Sequence, residues 1–190
     1  MKVYFATKNK GKVISVRDGL APYGIDVEHA EMELPESRSY DVKQITQEKV
    51  LYAYEKLQKP CLALDAGFFI PAWNGFPRLY VNFTLETLGI PGILKLVEDM
   101  PRECYFKDCI AYRDGSEPTL LERIIDGTIA ENPRGEPKEY HWSVLFQIFI
   151  PKGKEKTLAE MSKEELSTWK KGLKGYYEEL AERILTPRHL

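Results

Sequence analysis

The run Val3-Tyr4-Phe5-Ala6-Thr7-Lys8-Asn9-Lys10-Gly11-Lys12 decides how the chain is read. Its first four residues form a continuous apolar segment of strand length, and Val13, Val16 and Leu20 follow at helical spacing. The stretch therefore reads as strand, short loop, helix. Such a loop leaves backbone N–H groups unpaired at the helix start, where the helix dipole adds about half a positive charge, and the place suits phosphate. Thr7 offers a hydroxyl, Asn9 a capping or bridging amide, and Lys12 a point charge in the first turn.

Residues 24–30 predict a second strand. Val50, Ala53, Tyr54 and Leu57 recur as one face of a helix, and Cys61 to Leu64 reads as a buried strand. This alternation predicts an α/β fold with a parallel or mixed sheet covered by helices. Sites in such sheets lie beyond the carboxyl ends of strands, where Thr7 to Lys12 and Asp65 fall. Further on, residues 104–112 and 118–130 read as long strands joined at Arg113-Asp114-Gly115-Ser116, a hairpin signal, which predicts a β-rich second lobe. Pro133 to Pro137 marks a loop and residues 142–150 predict another strand. Ser162-Lys163-Glu164-Glu165 is an S-x-x-E helix start. Leu166, Trp169, Leu173, Tyr176, Tyr177, Leu180 and Ile184 continue that helix on one apolar face, with Gly172 and Gly175 as weak points.

Composition narrows the class. A chain of 190 residues that is 43% apolar is long enough to fill one domain's core without disulfides. The formal charge of -2, from 27 basic and 29 acidic side chains, gives no broad field toward nucleic acid or an anionic membrane, so neither is expected as a partner. Cys61, Cys104 and Cys109 lack CxxC spacing and are an odd set, which reads as buried thiols in a reducing compartment. The apolar run at Val3 is too short for a signal peptide and no segment approaches the roughly 20 residues of a membrane span, so the expected location is cytoplasmic.

Ala6-Thr7-Lys8-Asn9-Lys10-Gly11-Lys12 resembles the A-T-x-N-x-x-K signature that opens the inosine triphosphate pyrophosphatase family, which cleaves non-standard purine nucleoside triphosphates to monophosphate and pyrophosphate. Further matches follow in order along the chain. Leu34-Pro35-Glu36 resembles the segment carrying that family's metal-binding glutamate. Asp65-Ala66-Gly67-Phe68 resembles its acidic-Asp-Ser-Gly-Leu motif, and Asn74-Gly75-Phe76-Pro77 with Tyr80 resembles its glycine-phenylalanine-proline turn. Thr157, Ala159, Glu160 and Met161 resemble its T-x-A-E-hydrophobic segment.

The resemblance implies a mixed, elongated central sheet flanked by helices, with two lobes and a cleft between them, all within one domain spanning 1–190. It implies that Thr7, Asn9 and Lys12 bind the triphosphate, and that Glu36 and Asp65 hold Mg²⁺. Asp65 and Lys12 are then the catalytic residues, Asp65 activating the attacking water. It also implies a homodimer acting on a small-molecule nucleotide. The chemistry agrees, because Mg²⁺ takes carboxylate and phosphate oxygens and offsets the charge of a triphosphate.

The chain departs from the family pattern at several positions. The acid before Asp65 is Leu64 and the following serine is Ala66, so a paired carboxylate has become a lone one; Glu31 or Glu33 is a possible replacement. Ser15 stands where a glutamate is usual, and Val81 where a serine is. The F-G-Y-D-P-x-F segment reads Ser143-Val144-Leu145-Phe146-Gln147-Ile148-Phe149, with Phe146 at the aspartate. In the purine-reading segment from Glu164 the lysine, histidine and arginine are missing, leaving Lys170, Lys171 and Trp169. Among the histidines, His29 and His189 have no metal-ligand partner at helical spacing, and His141 belongs to an aromatic cluster with Tyr140 and Trp142.

The resemblance, with these departures, implies a nucleoside triphosphate pyrophosphatase with altered or weak activity. The alternatives are a catalytically inactive nucleotide- or phosphate-binding protein on the same fold, and a hydrolase for another phosphoanhydride whose cleft is shaped by Phe68, Phe69, Trp73 and Phe146.

Overall fold

The computed structural model of the chain describes residues 1–173 and 175–186. Its strands are β1 (Lys2–Ala6), β2 (Asp26–Ala30), β3 (Cys61–Phe69), β4 (Pro77–Arg78), β5 (Glu103–Arg113), β6 (Thr119–Ile129) and β7 (Phe149–Pro151). The helices are α1 (Lys10–Leu20), α2 (Val42–Leu57), α3 (Val81–Thr87), α4 (Gly89–Leu96), α5 (Lys163–Gly172) and α6 (Tyr176–Leu185). The strands form one sheet in the order β2-β1-β3-β5-β6-β7, with β4 paired to β3. β1 runs parallel to β2 and β3, whereas β3 with β4 and β6 with β7 are antiparallel. The α/β expectation of a mixed sheet flanked by helices holds.

The chain divides into two compact units. The first comprises Met1–Asp65, Asp108–Arg123 and Lys171–Leu190, and the second Ala66–Lys107 and Ile124–Lys170. In the first, helices cover both sheet faces. Val13, Val16 and Leu20 of α1 and Leu180 and Ile184 of α6 bury Val3, Phe5, Leu62 and Ile110 on one side. Val50 and Ala53 of α2 bury Ala6, Cys61, Ala63 and Ala111 on the other. The odd and even residues of β3 thus serve opposite cores, as a two-residue strand period dictates. All three cysteines are buried free thiols, and burial pushes the thiols of Cys61 and Cys109 up to about 12.

The second unit has an aromatic core. Phe106 meets Phe68, Trp142, Phe146 and Phe149 at ring-centroid distances of 5.0, 5.0, 6.2 and 4.7 Å. The T-x-A-E segment is a reciprocal clasp: the Thr157 N–H donates to Glu160 Oε2 at 2.7 Å and the Glu160 N–H donates to Thr157 Oγ1 at 3.3 Å. Ser162 and Glu165 form a second such box ahead of α5, as their spacing predicts.

Three expectations change. The continuous last helix is two helices, α5 and α6, because Gly175 takes a left-handed φ of 91° that no helical residue adopts. Residues 142–150 are not one strand: Ser143 caps a 3-10 turn over Val144–Gln147 that buries Leu145 and Phe146, and only then does β7 begin. β3 does not stop at Leu64 but runs through Asp65 to Phe69, so Asp65 is a mid-strand residue rather than one at a strand end.

Candidate active site

The loop from β1 to α1 is built by its own side chains. The Asn9 N–H donates to Thr7 Oγ1 at 3.0 Å, and Asn9 Oδ1 accepts from the Lys12 N–H at 2.9 Å as the N-cap of α1. Two of the three residues expected to bind phosphate therefore shape the turn that presents the third. His29 supports the loop from β2, its Nε2 lying 2.8 Å from the Thr7 carbonyl oxygen, so that this nitrogen carries the proton. Its strand-ladder neighbours Ala6 and Ala30 are paired in register.

β1 ends at Ala6 while β3 continues. With Phe5 opposite Leu62, the segment of β3 around Asp65 projects past the carboxyl end of β1, beside the α1 loop. This explains how a mid-strand aspartate joins a loop-borne site. The half-buried Lys12 reaches across, its Nζ donating to the Leu64 carbonyl at 3.3 Å. Burial pulls the Lys12 ammonium below the usual lysine range and nearby Lys49 adds to this, while Asp65, Asp108 and Glu36 oppose it.

The residue that unites the site is Lys49 of α2. Its side chain is 7% exposed, and its Nζ donates to Asp65 Oδ2 and to Glu36 Oε1, each at 3.0 Å. Burial alone would lower its pKa, but the charges and hydrogen bonds of Asp65 and Glu36 outweigh that and raise it. Sequence reasoning missed Lys49. The signal was present: it lies among Ile45, Thr46, Val50 and Ala53 on the buried face of α2, where an unpaired lysine is not stable.

All five residues expected at the phosphate and metal side, Thr7, Asn9, Lys12, Glu36 and Asp65, belong to the first unit, and the contacts of Lys12 and Lys49 tie them together. Of the two acids considered as replacements for the one absent at Leu64, Glu33 is 86% exposed and pairs with Lys8 at 3.3 Å, and Glu31 is exposed. Among the described residues no group of three or more His, Cys, Asp or Glu could hold a metal ion by itself. Glu36 and Asp65 do share one cationic centre, the Lys49 ammonium, so two carboxylates completed by phosphate oxygens fit a magnesium ion once that ammonium gives way.

The second unit contains residues 143–149 and the expected purine-reading segment from Glu164 through Lys170, while Lys171 belongs to the first unit. Phe146, at 2% exposure, and Phe68, at 0%, are core residues and offer no ligand-facing surface, which removes them from the set proposed to reshape a cleft. Trp73 is 42% exposed, with its indole N–H donated to the Leu96 carbonyl at 2.8 Å. His141 Nδ1 accepts from the Lys138 N–H at 3.2 Å, and its ring lies against Tyr140 and Phe146. Burial first, then the charges of Lys138 and Lys170, lower its pKa to about 4, so it is neutral at physiological pH. His189 lies outside the described residues.

The fold and site define an α/β protein with a capped strand-loop-helix turn beside a lysine-bridged carboxylate pair. A family model described as the Ham1 family matches residues 3–174, and the chain belongs to this family. A dITP/XTP pyrophosphatase of Methanopyrus kandleri is 40% identical over 167 residues, covering 87% of each chain. One of Pyrococcus horikoshii is 34% identical over 182 residues, covering 94% of this chain and 96% of its own. Among solved structures, a HAM1 protein from Coxiella burnetii superposes with a TM-score of 0.77 at 20% identity, covering 97% of this chain and 98% of that one, and shows the same fold.

Proposed function

We propose that the protein is a nucleoside triphosphate pyrophosphatase that hydrolyses dITP, XTP or a closely related nucleotide to the monophosphate and pyrophosphate. The observation that carries this reading is the convergence of Lys12, Lys49, Asp65 and Glu36 within one compact unit, at the end of a strand-loop-helix turn. The dITP/XTP pyrophosphatase relatives, identical at 34–40% over most of the chain, support the substrate class.

In this reading the N-terminal turn of α1, with Thr7, Asn9 and Lys12, receives the phosphate chain. Lys49 exchanges its carboxylate partners for phosphate oxygens as substrate arrives, and Asp65, released, accepts a proton from the attacking water. A Mg²⁺ ion held by Glu36 and Asp65 would neutralise the triphosphate and the leaving pyrophosphate. Product analysis tests the reaction: incubation with dITP or XTP should yield monophosphate and pyrophosphate, whereas diphosphate and orthophosphate would refute it. Turnover should also require added Mg²⁺ and stop on chelation.

Homodimer formation through the second unit belongs to the same reading. Tyr80, Phe83 and Leu88, on and flanking α3, are 41%, 64% and 43% exposed, an apolar face that a second copy would cover. Light scattering that returns about 22 kDa, the mass of one chain, at micromolar concentration would refute it.

A further inference from the structure

Thr7 follows β1 directly and is 8% exposed, and each of its polar groups is engaged within the protein. Its N–H donates to the Ala30 carbonyl at 3.3 Å, its Oγ1 accepts from the Asn9 N–H at 3.0 Å, and its carbonyl accepts from His29 Nε2 at 2.8 Å. His29 and Ala30 close β2, the end strand of the sheet, opposite Phe5 and Ala6 of β1. The same strand holds α1, since Arg17 donates through Nε and Nη2 to the Val27 carbonyl at 3.1 and 3.0 Å. The turn between β1 and α1 is thus fastened to β2 on both sides.

A carbonyl at a strand end needs only some donor, and water or a neighbouring backbone commonly provides it. Here the donor is a half-buried imidazole carried by the adjoining strand, and that choice sets a direction. In a trans peptide the C=O and the following N–H point opposite ways in one plane. Anchoring the Thr7 carbonyl on His29 therefore turns the Lys8 N–H away from His29. Lys10 and Gly11, in the first turn of α1, carry N–H groups that the helix itself cannot pair. Backbone N–H groups gathered at such a turn form a concave seat for an anion.

We propose that His29 is a positioning residue for the phosphate chain: through the Thr7 carbonyl it aims the Lys8 N–H into the seat formed by the N–H groups of Lys10 and Gly11. The proposal rests on the reading that this turn binds phosphate. The probe is tripolyphosphate, titrated by calorimetry into nucleotide-free protein, beside KM and kcat for dITP. His29→Leu removes the donor, and His29→Gln restores one, its amide nitrogen reaching close to the place of Nε2; melting temperature reports folding. His29→Leu should weaken tripolyphosphate binding about tenfold and raise KM to the same extent, the scale of one hydrogen bond to a charged group, with a smaller change in kcat. His29→Gln should recover most of both losses. A folded His29→Leu with wild-type affinity and KM overturns the proposal, and so does a His29→Gln no better than His29→Leu.

A second measurement needs no variant. In isotope-labelled wild-type protein the Lys8 amide resonance should shift as tripolyphosphate is added; a Lys8 amide that stays in place overturns the proposal whether or not the variants fold. A wild type that binds no tripolyphosphate overturns it as well. A wild type that binds tripolyphosphate but does not turn over dITP or XTP sinks the pyrophosphatase reading instead, and the affinities of the variants still decide the role of His29.

Discussion

The Nζ of Lys49 lies 3.0 Å from Oδ2 of Asp65, and one ammonium serves both acids of the site, since it meets Glu36 Oε1 at the same distance. A buried lysine between two carboxylates has its charge compensated before any ligand arrives, and in the proposed reaction it would give way to a magnesium ion and a phosphate. Lys49→Met should therefore lower kcat/KM by roughly 10²-fold, the scale of one preorganised charge donor. It should also lower stability by about 1–3 kcal/mol, because Asp65 loses its partner. Steady-state kinetics and urea unfolding check the two effects, and a variant with unchanged kinetics would remove Lys49 from the site.

Asp65→Asn keeps shape and still accepts from Lys49. It should fold normally, bind nucleotide, and lose roughly 10² to 10⁴ in kcat, the range for removal of a general base. A fall confined to KM would show that Asp65 only holds ligand.

The pH dependence of substrate binding should be set in part by Lys12. Its pKa is depressed by burial, so the ammonium that meets phosphate is lost at lower pH than an ordinary lysine would lose it. KM should rise on the alkaline side before pH 10.5, the unperturbed lysine value. Lys12→Arg, which does not titrate there, should flatten that limb. An identical alkaline limb in the two proteins would contradict the assignment.

His141 makes an acid-side prediction. Its folded pKa of about 4 lies below the unperturbed 6.5, so the fold favours the neutral ring. Below pH 6.5 the unfolded chain takes up a proton that the folded ring refuses, and stability falls as pH drops from 6.5 toward 4. Thermal melts across that window should show a smaller acid loss for His141→Gln than for the wild type.

Phe106→Ala should cost about 3–5 kcal/mol, the usual penalty for removing a phenylalanine ring from a packed core. Phe106 is 1% exposed and touches four aromatic neighbours. Urea unfolding measures it, with dITP turnover at saturating substrate changed far less.

The strand, capped loop and helix of the first 20 residues are legible in the sequence because they are local. Asp65 was legible as a residue, but not its mid-strand place, because the projection of β3 past β1 depends on register between strands whose paired residues, such as Phe5 and Leu62, are far apart in sequence. For Lys49 the sequence carries only its place on the buried face of α2; its partners, Asp65 on β3 and Glu36 on the loop before α2, are set by the fold. Residues 142–150 read as a strand because a short apolar run cannot tell a buried strand from a buried turn by periodicity; Ser143, capping the Leu145 N–H, decides it. Phe146 was read as ligand-facing from its place in a motif, whereas the surrounding aromatics make it core.

The most direct test is pyrophosphate release from XTP and dITP, against GTP and ATP, in the presence of Mg²⁺, with Asp65→Asn and Lys12→Ala measured beside the wild type. The account predicts release from XTP or dITP in preference to GTP and ATP, falling at least about 10²-fold in Asp65→Asn. Release no faster from the wild type than from Asp65→Asn, with every nucleotide, would contradict it.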